Sequence, residues 1–144
     1  MDVKTNGNIS FWYADIGGIP QKRPPLPGDR EADVCIIGAG YTGLWTAYYL
    51  KKANPSLNIV VLEREFAGFG ASGRNGGWLS GGFSWSREKY AKTSSRGAVV
   101  DMQNAMAGTV DEVERVTKAE GIDADLIRVD KIIAATNAAQ LQRV

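Results

Sequence analysis

The apolar positions of this chain change their period from segment to segment, and each period predicts an element. Residues 32–37 read Ala-Asp-Val-Cys-Ile-Ile, a short β-branched run without alternation, which predicts a buried parallel strand. Residues 44–53 are helix-compatible and apolar on nearly every side until Lys51 and Lys52, which suit the negative end of a helix dipole. That helix must stop at Asn54-Pro55, where the residue before a proline is driven out of helical geometry. Leu44, Ala47 and Tyr48 are expected to face the sheet, while Trp45 and Tyr49 need another partner. A second apolar run, residues 58–62, predicts another strand. Further on, Val99, Met102, Met106, Val110, Val113 and Val116 recur at helical spacing. With Asp101, Glu112, Glu114, Arg115 and Lys118 elsewhere on the surface, this predicts an amphipathic helix of roughly 20 residues that ends at Gly121, with the methionines as core filler. Two short apolar segments, 126–129 and 132–136, flank Asp130-Lys131 and predict a hairpin or two sequential strands; Asn137 then caps a helix over 138–144.

Between the first strand and its helix stands Gly38-Ala39-Gly40-Tyr41-Thr42-Gly43, and the second strand ends at Glu63, 20 positions beyond Gly43. A GxGxxG match acquires meaning only in such a strand–turn–helix–strand–acid context. Gly38 permits the tight turn, Gly40 lets a pyrophosphate approach the backbone, and Gly43 lets helix and strand pack closely. The unpaired N–H groups at the helix start, with the positive dipole end, then face an anion. Glu63 is placed to accept hydrogen bonds from a ribose diol and would repel a 2′-phosphate, which disfavours NADP. The motif points to a dinucleotide and leaves FAD and NAD both open.

Composition narrows the classes. The 144 residues suffice for one domain's core, and 44% hydrophobic with 23% charged residues fit a globular protein. A net charge of +1 without a basic cluster argues against nucleic acid as a partner. The chain has no histidine, which excludes within it a Ser-His-Asp triad, a histidine base and a His-ligated metal; no metal site is predicted. The single Cys35 cannot form an intrachain disulfide, reads as a buried strand residue rather than a nucleophile, and is compatible with a reducing, cytoplasmic location. Residues 34–50 carry no charge, but three glycines and a strand-like start make a strand plus helix a better reading than a membrane span. No signal peptide is visible in the polar residues 1–10, and no membrane partner is expected. Residues 1–31 read as an irregular leader in which Phe11-Trp12-Tyr13 pack onto the domain and residues 20–27 are extended.

A second glycine-rich segment spans residues 68–77, with five glycines in ten residues. It is either a flexible loop or a backbone laid against a ligand, and Ser72-Gly-Arg-Asn, with a possible N-cap and a guanidinium, favours an anion site. Trp78, Phe83 and Trp85 behind it are expected to pack.

Taken with the first glycine motif and Val61-Leu62-Glu63, the string Ala71-Ser-Gly-Arg-Asn-Gly-Gly resembles FAD-dependent oxidoreductases of the D-amino-acid-oxidase-like group, which includes glycine oxidase, sarcosine oxidase and γ-glutamylputrescine oxidase. Ser10-Phe-Trp-Tyr and Ala134-Ala-Thr-Asn resemble the last of these branches. The resemblance covers almost the whole chain but only about the first third of a full family member. It implies FAD as cofactor, with Gly38, Gly40, Tyr41, Thr42 and Gly43 at the pyrophosphate, Glu63 on the adenosine ribose and Arg64 beside the adenosine half. It further implies Ser72 on phosphate and Arg74, Asn75, Gly76 and Gly77 running toward the flavin ring. The implied reaction is hydride transfer from an amine or amino acid to flavin, giving an imine and hydrogen peroxide; the substrate-binding residues belong to a later part of such proteins, so no catalytic residue is named. Where the family's hairpin turn usually carries glycine, this chain has Val129-Asp130-Lys131.

The expected fold class is therefore α/β: an incomplete Rossmann-like FAD/NAD(P)-binding βαβ unit over residues 32–144, behind the leader, followed by the long helix and the hairpin. Two strands leave a doubly wound sheet unfinished, so a missing C-terminal region or a partner chain is expected to complete it. By itself the chain is expected to hold FAD weakly and to turn over no amine. The competing readings are an NAD-dependent dehydrogenase domain and a truncated, non-catalytic nucleotide-binding module.

Overall fold

The computed structural model describes residues 10–84 and 86–142. The chain divides into two compact units, Met1–Trp78 and Leu79–Val144.

In the first unit a short helix, α1 (Phe11–Asp15), occupies part of what reads in the sequence as an irregular leader, and residues 20–27 run on without helix or strand, as the prolines dictate. The βαβ unit follows: β1 (Val34–Ile37), α2 (Tyr41–Ala53) and β2 (Ile59–Leu62). The strands are parallel, registered Val34 to Ile59 through Ile37 to Leu62. Gly38 N–H donates to the Leu62 carbonyl at 2.7 Å, so the ladder closes on the first motif glycine. At the opposite end Asp33 N–H donates to the Asn58 carbonyl and the Asp33 carboxylate accepts from Asn58 N–H (3.0 and 2.7 Å), fixing the register before the strands begin. Residues 34–50 are thus strand plus helix, and among the described residues no helix is long and apolar enough to cross a membrane.

One face of this sheet corrects the expectation of a buried strand. Burial alternates along β1: Val34 and Ile36 are half-buried, whereas Cys35 is exposed and Ile37 is 88% exposed. The pleat sends alternate side chains to opposite faces, and among the described residues the face away from α2 is left open along β1, while Val60 beside it on β2 is half-buried. The helix shows the same economy of contacts. No residue of α2 is fully buried, and Leu44, expected against the sheet, is 45% exposed. Trp45 and Tyr49 find each other, stacked at 5.5 Å, with Tyr48 edge-on to both and the Lys52 ammonium over the two tyrosine rings. Lys51 does more than face a dipole: it donates to the carbonyls of Pro55 and Leu57 beyond the helix end, at 2.7 and 2.8 Å.

In the second unit α3 (Arg87–Thr93) packs on α4 (Arg96–Ala119). Ser95 caps α4 by accepting from Ala98 N–H at 3.1 Å; at the far end Gly121, with φ 62°, turns the chain out, and Ile122 N–H donates to the Thr117 carbonyl. Val99 and Val116 are buried and Met106, Val110 and Val113 half-buried, as the spacing requires, but Met102 points outward at 57% exposure and Gln103 takes its place in the stripe. Phe83 packs against Tyr90 with centroids 5.2 Å apart. Trp78, expected to pack, is 82% exposed, and Trp85 lies outside the described residues.

The expected hairpin does not form. Residues 122–136 contain neither strand nor helix, and Ile127, Val129, Ile132 and Ile133 are all exposed. Two short strands need a covered apolar face to be stable, and none of the described residues supplies one here. The segment is tethered instead by Arg128, which donates to Asp111 and Glu114 of α4 at 2.7 and 2.9 Å. Asn137 caps α5 (Ala138–Leu141) by accepting from Gln140 N–H at 2.9 Å, so the expected cap is present on a shorter helix.

Candidate functional site

Both glycine segments lie in the first unit, and Ala39 joins them. Ala39 is buried; its N–H donates to Glu63 Oε2 at 2.9 Å, and its carbonyl accepts from Gly68 N–H at 3.0 Å. One residue thus ties the end of β2 to the turn and the turn to the second loop.

Within the turn the three motif glycines answer to different constraints. Gly38 has φ 98°, a conformation that a side chain would strain. A Cβ on Gly43 would stand 2.0 Å from the Gly38 carbonyl oxygen and 3.2 Å from Ile36 Cγ2, so this glycine is what lets α2 start against the turn and the strand. A Cβ on Gly40 would meet only Ser72, with Oγ at 3.0 Å. The backbone there is bare except for one hydroxyl.

That hydroxyl is informative. Ser72 Oγ accepts from Tyr41 N–H at 2.9 Å, so a residue of the second loop caps the first turn of α2, where Gly40 has no side chain to do so. As an acceptor Ser72 keeps its own proton, which has no acceptor among the described residues. The N–H groups of Thr42 and Gly43 also lie in the first turn, where no carbonyl precedes them inside the helix. A hydroxyl donor and a helix start therefore converge beside uncrowded backbone, a donor set suited to a phosphate oxygen. The side chains of Tyr41 and Thr42 go elsewhere: Tyr41 is 57% exposed, and Thr42 borders a hollow of about 490 Å³ with Trp45, Thr46, Tyr49 and Leu50 on the outer face of α2.

Glu63 is turned into the turn, not away from it. Its Oε1 accepts from Glu65 N–H at 3.0 Å while Oε2 accepts from Ala39 N–H, and these two bonds, that from Glu65 foremost, hold its carboxyl below the usual value of 4.5. Each oxygen has used one lone pair and retains another, which leaves two adjacent acceptor positions for a vicinal diol. Arg64 lies at the rim, 84% exposed, with Nε 3.3 Å from Glu65. Glu65 pairs with Lys22 from the leader, and that ammonium is the main cause of its lowered carboxyl.

The second loop is ordered by side chains. Its only helical turn among the described residues is Ala71–Gly73. Asn75 closes the following turn, donating from Nδ2 to the carbonyls of Ala71 and Ser72 (3.2 and 3.0 Å) and accepting from Gly77 N–H at 2.8 Å. Arg74 donates from Nε to the Phe69 carbonyl at 2.8 Å and lays its guanidinium on the Phe69 ring, 4.6 Å from the centroid. Residues Phe69, Gly70, Ala71, Arg74 and Asn75 line an open hollow of about 610 Å³. The loop's glycines also differ. A Cβ on Gly70 would meet nothing within 4 Å and one on Gly76 only the Trp78 ring at 3.4 Å, whereas Gly73 and Gly77 are crowded by Tyr13 and Trp12.

Ala39, Ser10, Trp12 and Tyr13 are the residues that sequence reasoning missed at this site. For the leader residues the available signal was three side chains able to donate hydrogen bonds, set next to each other beside Phe11; for Ala39 there was none.

Known proteins resemble this chain in sequence. A family model described as FAD dependent oxidoreductase matches residues 33–144. Among curated proteins, the probable oxidoreductase OrdL of Haemophilus influenzae is 33% identical over 118 residues, covering 82% of this chain and 27% of that protein. The gamma-glutamylputrescine oxidoreductase of Escherichia coli is 42% identical over 77 residues, 54% of this chain and 18% of its own length. The thiamine thiazole synthase of Emericella nidulans is 47% identical over only 51 residues, 35% of this chain and 14% of that protein. The chain thus spans about a quarter or less of these relatives. No solved structure matches significantly.

Proposed function

From the premise that the chain belongs to the FAD-dependent oxidoreductase family, whose cofactor is FAD, we propose that its two glycine loops form the cradle for that cofactor. In this reading residues 32–144 are the N-terminal part of the FAD-binding domain. The diphosphate would lie by Gly38, Gly40 and Gly43 and receive hydrogen bonds from the N–H groups of Thr42 and Gly43 in the first turn of α2 and from the Ser72 hydroxyl, which the Tyr41 N–H holds in place. Glu63 accepts from the adenosine ribose diol, and Arg64 flanks the adenosine half. Arg74, Asn75, Gly76 and Gly77 carry the backbone on toward the flavin end. The observation that supports this most strongly is the Ser72 hydroxyl on Tyr41 N–H: it brings the second loop to the helix start that a diphosphate would occupy.

For the whole protein we propose oxidation of an amine or amino acid, in keeping with the name of the E. coli relative, and a reducing, cytoplasmic compartment, in keeping with the single Cys35. FAD, when bound, supplies the two-electron acceptor: the amine-bearing carbon gives up a hydride, the imine left behind hydrolyses, and dioxygen carries the electrons to hydrogen peroxide. This chain's own residues bind and orient; no side chain of theirs is assigned to the chemistry. The thiamine thiazole synthase likeness is consistent with a dinucleotide unit that serves more than one chemistry, so the substrate class rests on the longer relatives.

The direct test is co-elution of purified chain with FAD, NAD or ADP on gel filtration. Retained flavin absorbance that ADP displaces and NAD does not supports the reading; a chain that retains NAD and passes FAD through overturns it. For the whole protein, amine-dependent bleaching of the flavin in the absence of air and peroxide release in its presence are the expected results.

A further inference from the structure

The first turn is held by regular structure, but the second loop borrows its shape from the leader. Three of its carbonyls accept hydrogen bonds from one stretch more than fifty residues away. Ser10 Oγ donates to Gly73 at 2.9 Å, Trp12 Nε1 to Asn75 at 2.7 Å, and the Tyr13 hydroxyl to Gly68 at 2.8 Å. Tyr13 is 6% exposed, wedged edge-to-face on Phe66 with centroids 5.2 Å apart, so its hydroxyl is placed by a packed ring and not by a free rotor. The loop's glycines fit these side chains. A Cβ on Gly73 would stand 2.2 Å from the Tyr13 hydroxyl oxygen, and one on Gly77 would stand 3.2 Å from the Trp12 ring. A segment half made of glycine loses much freedom on ordering, and a single short turn offers little in return. Its order therefore comes from outside.

We infer that α1 is the positioning element of the second glycine loop: Trp12 and Tyr13 hold its backbone in the shape that receives the flavin-side half of FAD. The inference rests on the cradle proposed above. Neither residue touches the reacting atoms; they are positioning residues. Such a role separates the two halves of the ligand. The ADP half is served mainly by Gly38, Gly40, Gly43 and Glu63, to which residues 10–31 make no hydrogen bond among the described residues, and it shares only Ser72 with the second loop, so altering α1 should weaken ADP less than FAD.

The test compares the full chain with Tyr13→Phe, which keeps the ring on Phe66 and removes only the hydroxyl, and with Trp12→Phe, which removes the indole donor. Titration with FAD and with ADP should show each variant binding FAD about fivefold more weakly, the loss expected for one hydrogen bond, with ADP changed by less than about twofold. Cleavage by trypsin after Arg74 in the ligand-free chain should accelerate in both variants, a readout that needs no cofactor. A parallel loss of FAD and ADP in both variants means that α1 only stabilises the unit, and unchanged FAD affinity with unchanged cleavage means that it does not order the loop. Either result overturns the inference while wild-type FAD binding leaves the cradle intact. A wild-type chain that binds ADP and FAD not at all removes the cradle, and the inference with it.

Discussion

The two glycine loops look alike in composition and are built on opposite principles. In the first, Gly38 closes a parallel ladder and Gly43 seats a helix against that closure, so its glycines serve contacts between neighbours in sequence. In the second, Gly73 and Gly77 make room for Tyr13 and Trp12, and the loop's shape depends on chain more than fifty residues away. A glycine-rich string in a sequence can mean bare backbone for a ligand, or bare backbone for the protein's own aromatics. Here Gly40, Gly70 and Gly76 are open, Gly38 is open but held by its positive φ, and the crowded Gly43, Gly73 and Gly77 are structural.

The sharpest way to break the comparison is at Gly43. An alanine there drives Cβ into the Gly38 carbonyl oxygen, and Gly43→Ala should cost about 3 kcal/mol or more of stability, read as a lowered urea midpoint. If the variant is as stable as the parent, the close seat of α2 on the turn is wrong. Gly40→Val probes the ligand side: its side chain displaces Ser72 and fills the diphosphate's approach. It should lower FAD affinity about a hundredfold while leaving helical circular dichroism unchanged. Retained flavin in this variant takes Gly40 out of the cradle.

Glu63→Gln comes next, with FAD binding weakened about tenfold through loss of the charged acceptor. It also carries a pH signature. The carboxyl is lowered in the folded chain relative to its usual 4.5, so the stability it contributes is present above that value and is lost as pH falls through the folded value. The parent should lose urea resistance on going from about pH 6 to about pH 3 more steeply than the variant does. Equal slopes would show that the bonds from Ala39 and Glu65 do not persist in solution. The smallest effect is expected in the other unit: Ser95→Ala removes the cap of α4 and should cost about 1 kcal/mol with FAD affinity untouched. A change in FAD affinity there would mean that the two units are coupled at the cradle.

Much of this was legible in order along the chain, for a physical reason. A βαβ turn is local: the strand, the glycines that let it bend, the helix and the acid follow one another within 32 residues (32–63), and each constrains the next. The same holds for α4, whose stripe, cap and terminating Gly121 depend only on helical geometry. What failed were statements about what lies across from an element. Cys35 and Ile37 read as buried because a parallel strand is normally covered twice, yet among the described residues one face of β1 is open. Residues 126–129 and 132–136 are apolar like short strands but meet no covering face, and the ion pairs of Arg128 with Asp111 and Glu114 tether the segment to α4.

The sequence by itself determined the dinucleotide turn, the placement of Glu63 beyond it and the family to which these belong, because those are matters of spacing along one short stretch. Only the tertiary structure decided which glycines are free and which are occupied, that Ser72 closes over the start of α2, and that a leader helix shapes the second loop. Those are contacts between residues far apart in the chain, and no periodicity or local propensity records where such a contact lands.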